Sequence, residues 1–189
     1  MNDLTAGPPA ALLDRVAQRA AREGLLDVAY AQVDSPLGPL TVAATERGLV
    51  HLAYPEHSVD GVLERLSQEV SPRVLEAPAR LDGIRRELGA YFVGELQRFE
   101  TPIDWSLTRG FYRQVLQATA RIGFGEVGTY TTVAAAAGNA KAVRAAGSGL
   151  GSNPIPVVVP CHRVLRTDGA LGGYTGGLER KRFLLELER

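Results

Sequence analysis

The sequence predicts an α+β protein in two parts, an α/β half followed by a mainly helical half. In the first half, short runs of alternating apolar and polar residues lie between turn signals, a pattern typical of an antiparallel meander. These predicted strands span residues 28–34, 38–44 and 48–53. In the second half, apolar residues recur mostly at helical spacing. The predicted helices there span residues 110–121, 131–137 and 140–150.

Three further helices are predicted in the first half. Segment 10–23 has a helical pattern that Gly24 is expected to end. Its buried side is expected to carry Leu12, Leu13, Val16 and Ala20. Segments 59–69 and 78–93 have the same periodicity. The second of these is expected to bury Leu81, Ile84, Leu88, Tyr91 and Phe92.

The chain has 189 residues, of which 45% are hydrophobic and 22% charged, and this is enough for two small domains. No apolar run approaches the roughly 20 residues that a membrane-spanning helix needs. The first thirty residues include acidic side chains and lack the continuous apolar centre of a signal peptide. We therefore expect a cytoplasmic protein that does not contact a membrane.

A break at Phe99–Thr108, which contains Pro102, predicts a domain boundary. We place the first domain at residues 1–107 and the second at residues 108–189. The first part carries 10 basic and 16 acidic side chains, and the second carries 11 basic and 5 acidic ones. The positive second part is typical of a protein that binds a polyanion. Two oppositely charged halves that dock on each other would show the same pattern.

Two short predicted helices, 131–137 and 140–150, flank the turn Gly138-Asn139 and form a candidate helix-turn-helix. A threonine is available to cap the first helix. The second helix has little side-chain bulk beyond Lys141 and Arg144. Its small residues are Ala142, Ala145, Ala146, Gly147, Ser148 and Gly149. Such a surface allows a close approach to DNA, and the two cations suit phosphates or a groove. A close contact with another helix of the protein is the alternative.

Cys161 is the only cysteine, which excludes an intramolecular disulfide and a multi-cysteine zinc site. With three histidines in the chain, no metal site is expected. Segment 153–164 has three valines between prolines, which predicts a short buried strand that ends at Cys161. His162 follows directly, where it can serve as a base for a thiol whose ordinary pKa lies near 8.5. A buried structural thiol is the alternative.

Residues 160–164 (PCHRV) resemble the active-site motif of the O6-alkylguanine-DNA alkyltransferases, also called methylated-DNA–protein-cysteine methyltransferases. The similarity extends over nearly the whole second half. The other matching blocks are 125–130 (GEVGTY), 141–145 (KAVRA), Asn153-Pro154, 173–178 (GYTGGL), Lys181 and 184–188 (LLELE). In the first half, only 35–38 (SPLG) is similar. The resemblance implies an antiparallel ribonuclease-H-like sheet in the first domain, and a DNA-binding helix-turn-helix with the reactive cysteine in the second.

The resemblance also implies a catalytic group. Cys161 is the expected alkyl acceptor, and His162 takes its proton through a water molecule. Glu188 orients the histidine, and Asn153 ties the hinge to the cysteine. Without the resemblance, Glu188 would be interpreted as a solvated helix residue and Arg163 as a structural salt-bridge partner.

The remaining matches imply contacts with DNA and with the extruded base. Arg144 is expected to enter the stack in place of the flipped guanine, and Tyr130 to crowd the neighbouring phosphate, with Lys141 also on the DNA side. The expected base pocket consists of the carbonyls of Cys161 and Val164, the amide of Thr175, and the apolar walls Leu150 and Tyr174. Lys181 is expected to assist protonation of the departing guanine. On residue type alone, Tyr174 would also fit an ordinary core position.

The activity implied by the resemblance is DNA repair by direct transfer. An alkyl group on O6 of guanine, or on O4 of thymine, in double-stranded DNA moves to Cys161 and leaves a stable thioether after one turnover. No cofactor is implied, and a monomer is expected. Three alternatives differ in class: a lesion-binding protein, a thiol hydrolase and a helix-turn-helix regulator. A lesion-binding protein of this kind has tryptophan in place of the cysteine, whereas this chain has Cys161. A thiol hydrolase requires an oxyanion hole, to which nothing in the sequence points. A regulator requires polar side chains on the recognition helix, which is here rich in glycine and alanine.

Overall fold

The computed structural model describes residues 9–189, so the first eight residues of the predicted first domain lie outside the described residues. The strands are β1 (Val28–Val33), β2 (Leu40–Thr45), β3 (Gly48–Ala53), β4 (Val74–Glu76), β5 (Gly128–Thr129) and β6 (Val164–Leu165). The helices are α1 (Ala10–Arg22), α2 (Val59–Glu69), α3 (Asp82–Phe92), α4 (Gly110–Thr119), α5 (Tyr130–Ala136), α6 (Val143–Gly151) and α7 (Leu178–Leu187). Short 3-10 turns lie at Pro78–Leu81, Trp105–Leu107 and Cys161–Arg163. Within the described chain, no helix is long and apolar enough to cross a membrane.

The three predicted strands are confirmed as an antiparallel meander, β1 to β3, with β1 and β3 flanking β2. The sheet has a fourth member, β4, which pairs in parallel with β1 and gives the order β3-β2-β1-β4. The sheet is therefore mixed, because the unpredicted β4 adds one parallel pairing to the antiparallel meander. Because β4 is a three-residue edge strand, it is too short for its alternation to be recognised in the sequence. The short parallel pair β5–β6 was also not predicted.

Helix α1 is confirmed, and the backbone leaves it at Gly24, where φ is +68°. Its predicted buried side was wrong in part. Ala17 and Ala20 face the protein, whereas Leu12 and Val16 are 48% and 49% exposed. Alanine on the inner side lets the helix lie close to its neighbours, which include Leu26, Ala29 and Ala77. The position of the bulky side chains therefore did not identify the packed face.

Helices α2 and α3 are confirmed, although the predicted helix 78–93 begins as the 3-10 turn that contains Pro78. Leu81, Ile84, Leu88 and Tyr91 are buried as predicted, and Phe92 is partly buried. These side chains belong to one hydrophobic core that continues into the second half, through Val115 and Leu116 of α4. The two halves are also joined by a backbone hydrogen bond of 2.8 Å from the Leu52 amide to the Pro154 carbonyl. The first half thus packs directly beneath the segment that carries the cysteine.

The helix-turn-helix is α5 and α6. Thr129 caps α5 in a reciprocal arrangement with Thr132, and Gly138 turns the chain at a φ of +91°. Helix α6 begins at Val143 rather than at residue 140, because the Asn139 side chain accepts a hydrogen bond from the Lys141 amide and holds a turn there. Lys141 therefore lies in the turn and not on the helix.

Both interpretations of the small residues in α6 apply, on different faces. A Cβ atom added to Gly149 would lie 3.3 Å from the Tyr112 ring, so this position permits close packing of α6 on α4. Ala146 is fully buried on the same side. Arg144 and Ser148 lie on the exposed side of the helix. The inner face therefore explains part of the missing bulk, and the outer face remains available to DNA.

Candidate active site

The segment before the cysteine is buried, but it is not the predicted strand. Pro154, Pro156 and Pro160 have no amide hydrogen to donate to a sheet, and the chain forms turns there. The Val159 amide instead bonds back to the Ile155 carbonyl at 2.9 Å. Val157 has a φ of +74°, a conformation that strains a β-branched residue. Cys161 then begins the 3-10 turn Cys161–Arg163, which places three chemically active side chains on consecutive residues.

The Cys161 thiol is 5% exposed, and the side chain of Asn153 holds it. The Asn153 amide nitrogen lies 3.1 Å from Sγ and 2.9 Å from the Val159 carbonyl, and its oxygen accepts the Ile155 amide. Burial raises the pKa of Cys161 to about 11, although the Asn153 hydrogen bond and the charge of Lys181 oppose the shift. The resting thiol is thus protonated at neutral pH, and its thiolate fraction is smaller than the ordinary thiol pKa near 8.5 would give.

His162 is fully buried, and its Nε2 atom lies 2.8 Å from Oε1 of Glu188. Burial lowers the pKa of His162, so its ring is neutral at pH 7, although Glu188 opposes that shift. Because an ionised carboxylate only accepts hydrogen bonds, the ring proton resides on Nε2. Nδ1 is then a free acceptor, and it has no hydrogen-bond partner within residues 9–189. The imidazole is therefore in the tautomer that can take up a proton.

Glu188 is the centre of a buried charge network. It is 3% exposed, which excludes the interpretation as a solvated helix residue. Arg163 donates from Nε to Oε2 at 2.8 Å and from Nη2 to Oε1 at 2.9 Å, so it forms a salt bridge with the carboxylate that bonds His162. We call His162 and Glu188 together the relay. Burial alone would raise the pKa of Glu188, but the hydrogen bonds from His162, Arg163 and Tyr91 outweigh it and lower that pKa to about 2.

Tyr91 is a member of this network that the sequence analysis assigned only to the core. It lies on α3 in the first half, and its hydroxyl donates to Oε1 of Glu188 at 2.5 Å. A buried tyrosine needs a partner for its hydroxyl, so its presence on an apolar helix face was a usable signal for a polar contact. The identity of that partner, 97 residues away, was not deducible from the pattern.

The other side of Cys161 opens into a cavity of about 440 Å³. Its lining residues are Tyr130, Gly147, Leu150, Gly151, Cys161, Gly173, Tyr174 and Thr175. Three cavities of about 630, 560 and 490 Å³ are larger, but Cys161 lines none of them. The structure thus brings together five of the residues predicted for the site around one thiol. Thr175 also donates its hydroxyl to the Gly151 carbonyl at 2.9 Å, which joins the loop to α6.

Lys181 lies under the loop that forms one wall of this cavity. Its fully buried ammonium group donates to the Val164 carbonyl at 2.6 Å, to the Leu171 carbonyl, and to the Gly173 carbonyl at 3.4 Å. Burial lowers the pKa of Lys181 to about 8, despite an opposing effect of Cys161. The Val164 carbonyl predicted to contact the base therefore also accepts from a lysine that titrates close to neutrality.

A second tyrosine of the first half, Tyr54, supports the cavity wall and was not predicted. Its hydroxyl lies 2.5 Å from that of Tyr174. The guanidinium group of Arg180 stacks 4.7 Å from the centre of the Tyr54 ring and pairs with Glu56 at 2.6 Å. The wall formed by Tyr174 is thus held from outside the second half.

The predicted DNA-contacting residues lie around the mouth of the cavity or on nearby surface. Tyr130 is the first residue of α5 and lines the cavity, while Arg144 is exposed on α6. Lys141 is exposed in the turn before α6. Neither Arg144 nor Lys141 lines the cavity that contains Cys161.

Two family models match the chain. The one described as 6-O-methylguanine DNA methyltransferase, ribonuclease-like domain, matches residues 28–105. The one described as 6-O-methylguanine DNA methyltransferase, DNA binding domain, matches residues 110–189. The first matched range ends at residue 105 and the second begins at residue 110.

Similar full-length proteins and structures agree with these matches. The methylated-DNA–protein-cysteine methyltransferase of Mycobacterium tuberculosis strain H37Rv is 39% identical over 85% of this chain and 92% of its own length. The constitutive enzyme of Bacillus subtilis is 37% identical over 85% and 94%. The crystal structure of Mycobacterium tuberculosis OGT in complex with DNA is 38% identical, with a TM-score of 0.72 over 85% of this chain and 92% of that one. The chain therefore belongs to the 6-O-methylguanine DNA methyltransferase family.

Proposed function

We propose that this protein repairs DNA by transferring an alkyl group from O6 of guanine, or from O4 of thymine, to Sγ of Cys161. The observation that supports this best is the position of the only thiol in the chain. It lines a cavity, and the next residue, His162, has a neutral imidazole whose Nδ1 has no hydrogen-bond partner within residues 9–189. The similar proteins described above are named methylated-DNA–protein-cysteine methyltransferases, a name that gives a protein cysteine as the methyl acceptor.

The reaction is a displacement at the alkyl carbon. The Sγ–C bond forms as the C–O6 bond breaks, and guanine departs with the electron pair of that bond. The thiol proton passes through a water molecule to Nδ1 of His162, and Glu188 stabilises the imidazolium that results. Because burial raises the pKa of Cys161 to about 11, deprotonation has to accompany the reaction rather than precede it. The product is a thioether, which water does not cleave at neutral pH, so each molecule acts once.

The cavity wall supplies recognition of the extruded base. The carbonyls of Cys161 and Val164 accept from its exocyclic amine, the Thr175 amide faces O6, and Leu150 and Tyr174 cover the ring. Lys181 already bonds the Val164 carbonyl, and with a pKa lowered to about 8 by burial it can donate the proton that the leaving guanine requires. Asn153 holds Sγ toward the cavity through its 3.1 Å contact.

Duplex DNA is bound through the helix-turn-helix on its minor-groove side by a single protein molecule. The basic second half supplies the charge, Arg144 takes the place of the extruded nucleotide, and Tyr130 and Lys141 contact the backbone. The exposed Arg144 on a helix with little bulk supports this assignment. We divide the chain into domains at residues 1–107 and 108–189, a division supported by matches at 28–105 and 110–189.

Intact-protein mass spectrometry tests the proposal. After mixing with a duplex that contains O6-methylguanine, the protein should gain one CH2 unit, once per molecule, and peptide mapping should place it on Cys161. Undamaged duplex and the Cys161→Ala variant are the controls and should give no gain. Modification of another residue, or many turnovers per molecule, would contradict the mechanism.

A further inference from the structure

We propose that Tyr91 is a positioning residue for the transfer reaction, one that aligns Glu188 with His162 and takes up part of the charge of the carboxylate. Tyr91 lies in the first half of the chain, outside the segment that carries Cys161, His162 and Glu188. The inference rests on the proposed function of the Cys161–His162 pair. It assigns to the ribonuclease-like half a direct part in preparing the proton acceptor.

Three donors converge on one oxygen of Glu188. Oε1 of Glu188 accepts from Tyr91 at 2.5 Å, from His162 at 2.8 Å and from Arg163 at 2.9 Å. Glu188 follows the last residue of α7, so its own position is only partly set by the helix. The side-chain bonds therefore determine where the carboxylate lies, and Tyr91 is the one donor that comes from the other half.

The Tyr91 hydroxyl is itself held in place by packing around its ring. Its ring is fully buried and packs against Phe92, Phe99 and Phe124, with centroids 5.3, 5.2 and 6.2 Å away. Burial raises the pKa of Tyr91, so the hydroxyl keeps its proton and can only donate to the carboxylate. The packed aromatic cluster thus presents a permanent donor to Glu188. Because the Tyr91 ring is already ordered by its packing, it restricts the carboxylate without losing further conformational entropy of its own.

The Tyr91 hydroxyl also affects the basicity of His162. Three donors share the charge on Oε1, so each one weakens the carboxylate as an acceptor for the imidazole. Other groups that face His162 or Glu188 are the cations Arg163 and Lys181 and the neutral Cys161 and Tyr174. Tyr54 lies behind Tyr174 and bonds its hydroxyl. All of these groups remain in place when Tyr91 loses its hydroxyl. Removing the Tyr91 hydroxyl should therefore leave more charge facing His162 and favour the protonated ring.

The test is Tyr91→Phe, which keeps the ring and its packing. Titration of the His162 ring by ¹⁵N-detected NMR should show its midpoint about 0.5–1 pH unit higher than in the unmodified protein, the size expected on losing one donor to a charged acceptor. The acid limb of the single-turnover transfer rate should move in the same direction by a similar amount. Thr119→Val is the control, because it removes another buried hydroxyl, which bonds the Val115 carbonyl on α4 and not Glu188 or His162.

The His162 titration midpoint separates a positioning role of Tyr91 from a purely structural one. A loss of stability in both variants, with an unchanged His162 midpoint and acid limb in Tyr91→Phe, would overturn the proposal. Site-specific 3-fluorotyrosine at position 91 supplies a second measurement if Tyr91→Phe does not fold. The stronger donor should move the His162 midpoint downward, and an unmoved midpoint would overturn the proposal. The NMR arm needs no alkylated DNA, so absence of transfer in every protein would contradict the proposed function without affecting this result.

Discussion

The two sides of Cys161 differ in how completely they are built. Behind the cysteine, His162, Arg163, Glu188 and Tyr91 are all buried, and the carboxylate oxygens accept four hydrogen bonds from charged or fixed groups. In front, the cavity wall includes three glycines and the half-exposed loop that bears Tyr174. Under the proposed mechanism, the groups that activate the thiol are in place before DNA binds, and the front is open because an entire nucleotide has to enter it.

The first half of the chain supports both sides by the same means. Tyr91 reaches the relay, and Tyr54 reaches Tyr174 on the cavity wall, each through its hydroxyl. The contact with the relay joins a rigid donor to a charged group, whereas the contact with the wall joins two neutral phenols. We expect changes behind the cysteine to alter chemistry and stability together, and changes in front to alter the use of DNA alone.

The largest expected effect is that of His162→Ala on the rate of transfer. Loss of a general base should slow single-turnover transfer by about 10²–10⁴-fold at pH 7.5, while duplex affinity remains near normal. Because the pKa of Cys161 is raised to about 11, the variant should recover by about tenfold per pH unit and still be rising at pH 9.5. Transfer timed across pH, with binding measured in parallel, checks this. A flat response would mean that another group activates the thiol.

Glu188→Gln should have the next largest effect, on the free energy of unfolding. The substitution leaves the buried Arg163 guanidinium without a counter-charge, which should cost about 3 kcal/mol at pH 7. The folded-state pKa of Glu188 is lowered to about 2, so its contribution is present above the unfolded pKa near 4.5 and is lost as pH falls toward 2. The stability gap between the two proteins should therefore narrow between about pH 5 and pH 2.

Urea unfolding at a series of pH values measures that gap. Glu186→Gln is the matched control, since Glu186 is an exposed glutamate in the last turn of α7, two residues before Glu188. It should change stability by less than about 0.5 kcal/mol at any pH. A constant gap between the Glu188→Gln and unmodified proteins would show that the carboxylate does not carry the network charge.

Arg144→Ala should have the smallest effect on the protein and a selective effect on its substrates. The side chain is exposed on α6, so stability should change by less than about 0.5 kcal/mol. Transfer from a lesion duplex should slow by at least about tenfold, because nothing then fills the stack and extrusion costs a few kcal/mol. Transfer from free O6-benzylguanine should be unchanged. Arg182→Ala, at an exposed position on α7, is the control, and equal losses on both substrates would instead assign Arg144 to the pocket.

The local sequence pattern predicted some elements of the fold and missed others. The meander, α2, α3 and α5 were predicted because alternation and helical spacing depend on neighbours along the chain, as does the cap at Thr129. Strand β4 and the turns around Val157 were not, because pairing with β1 and burial without a sheet depend on distant residues. On α1, the pattern identified a helix but not the side that packs.

The sequence by itself determined the meander, the helix-turn-helix and the adjacency of Cys161 and His162, since each depends on spacing within a few residues. The motif of residues 160–164, together with the other matching blocks of the second half, indicated the family. The pairing of Glu188 with His162 was implied by the resemblance alone. Only the tertiary structure decided that Glu188 is buried and also bonded by Arg163, that Tyr91 and Tyr54 reach the site, and that the thiol pKa is raised to about 11. The physical reason is that a local pattern reports which faces are apolar, whereas a partner's identity and the exclusion of water depend on residues far apart in the chain.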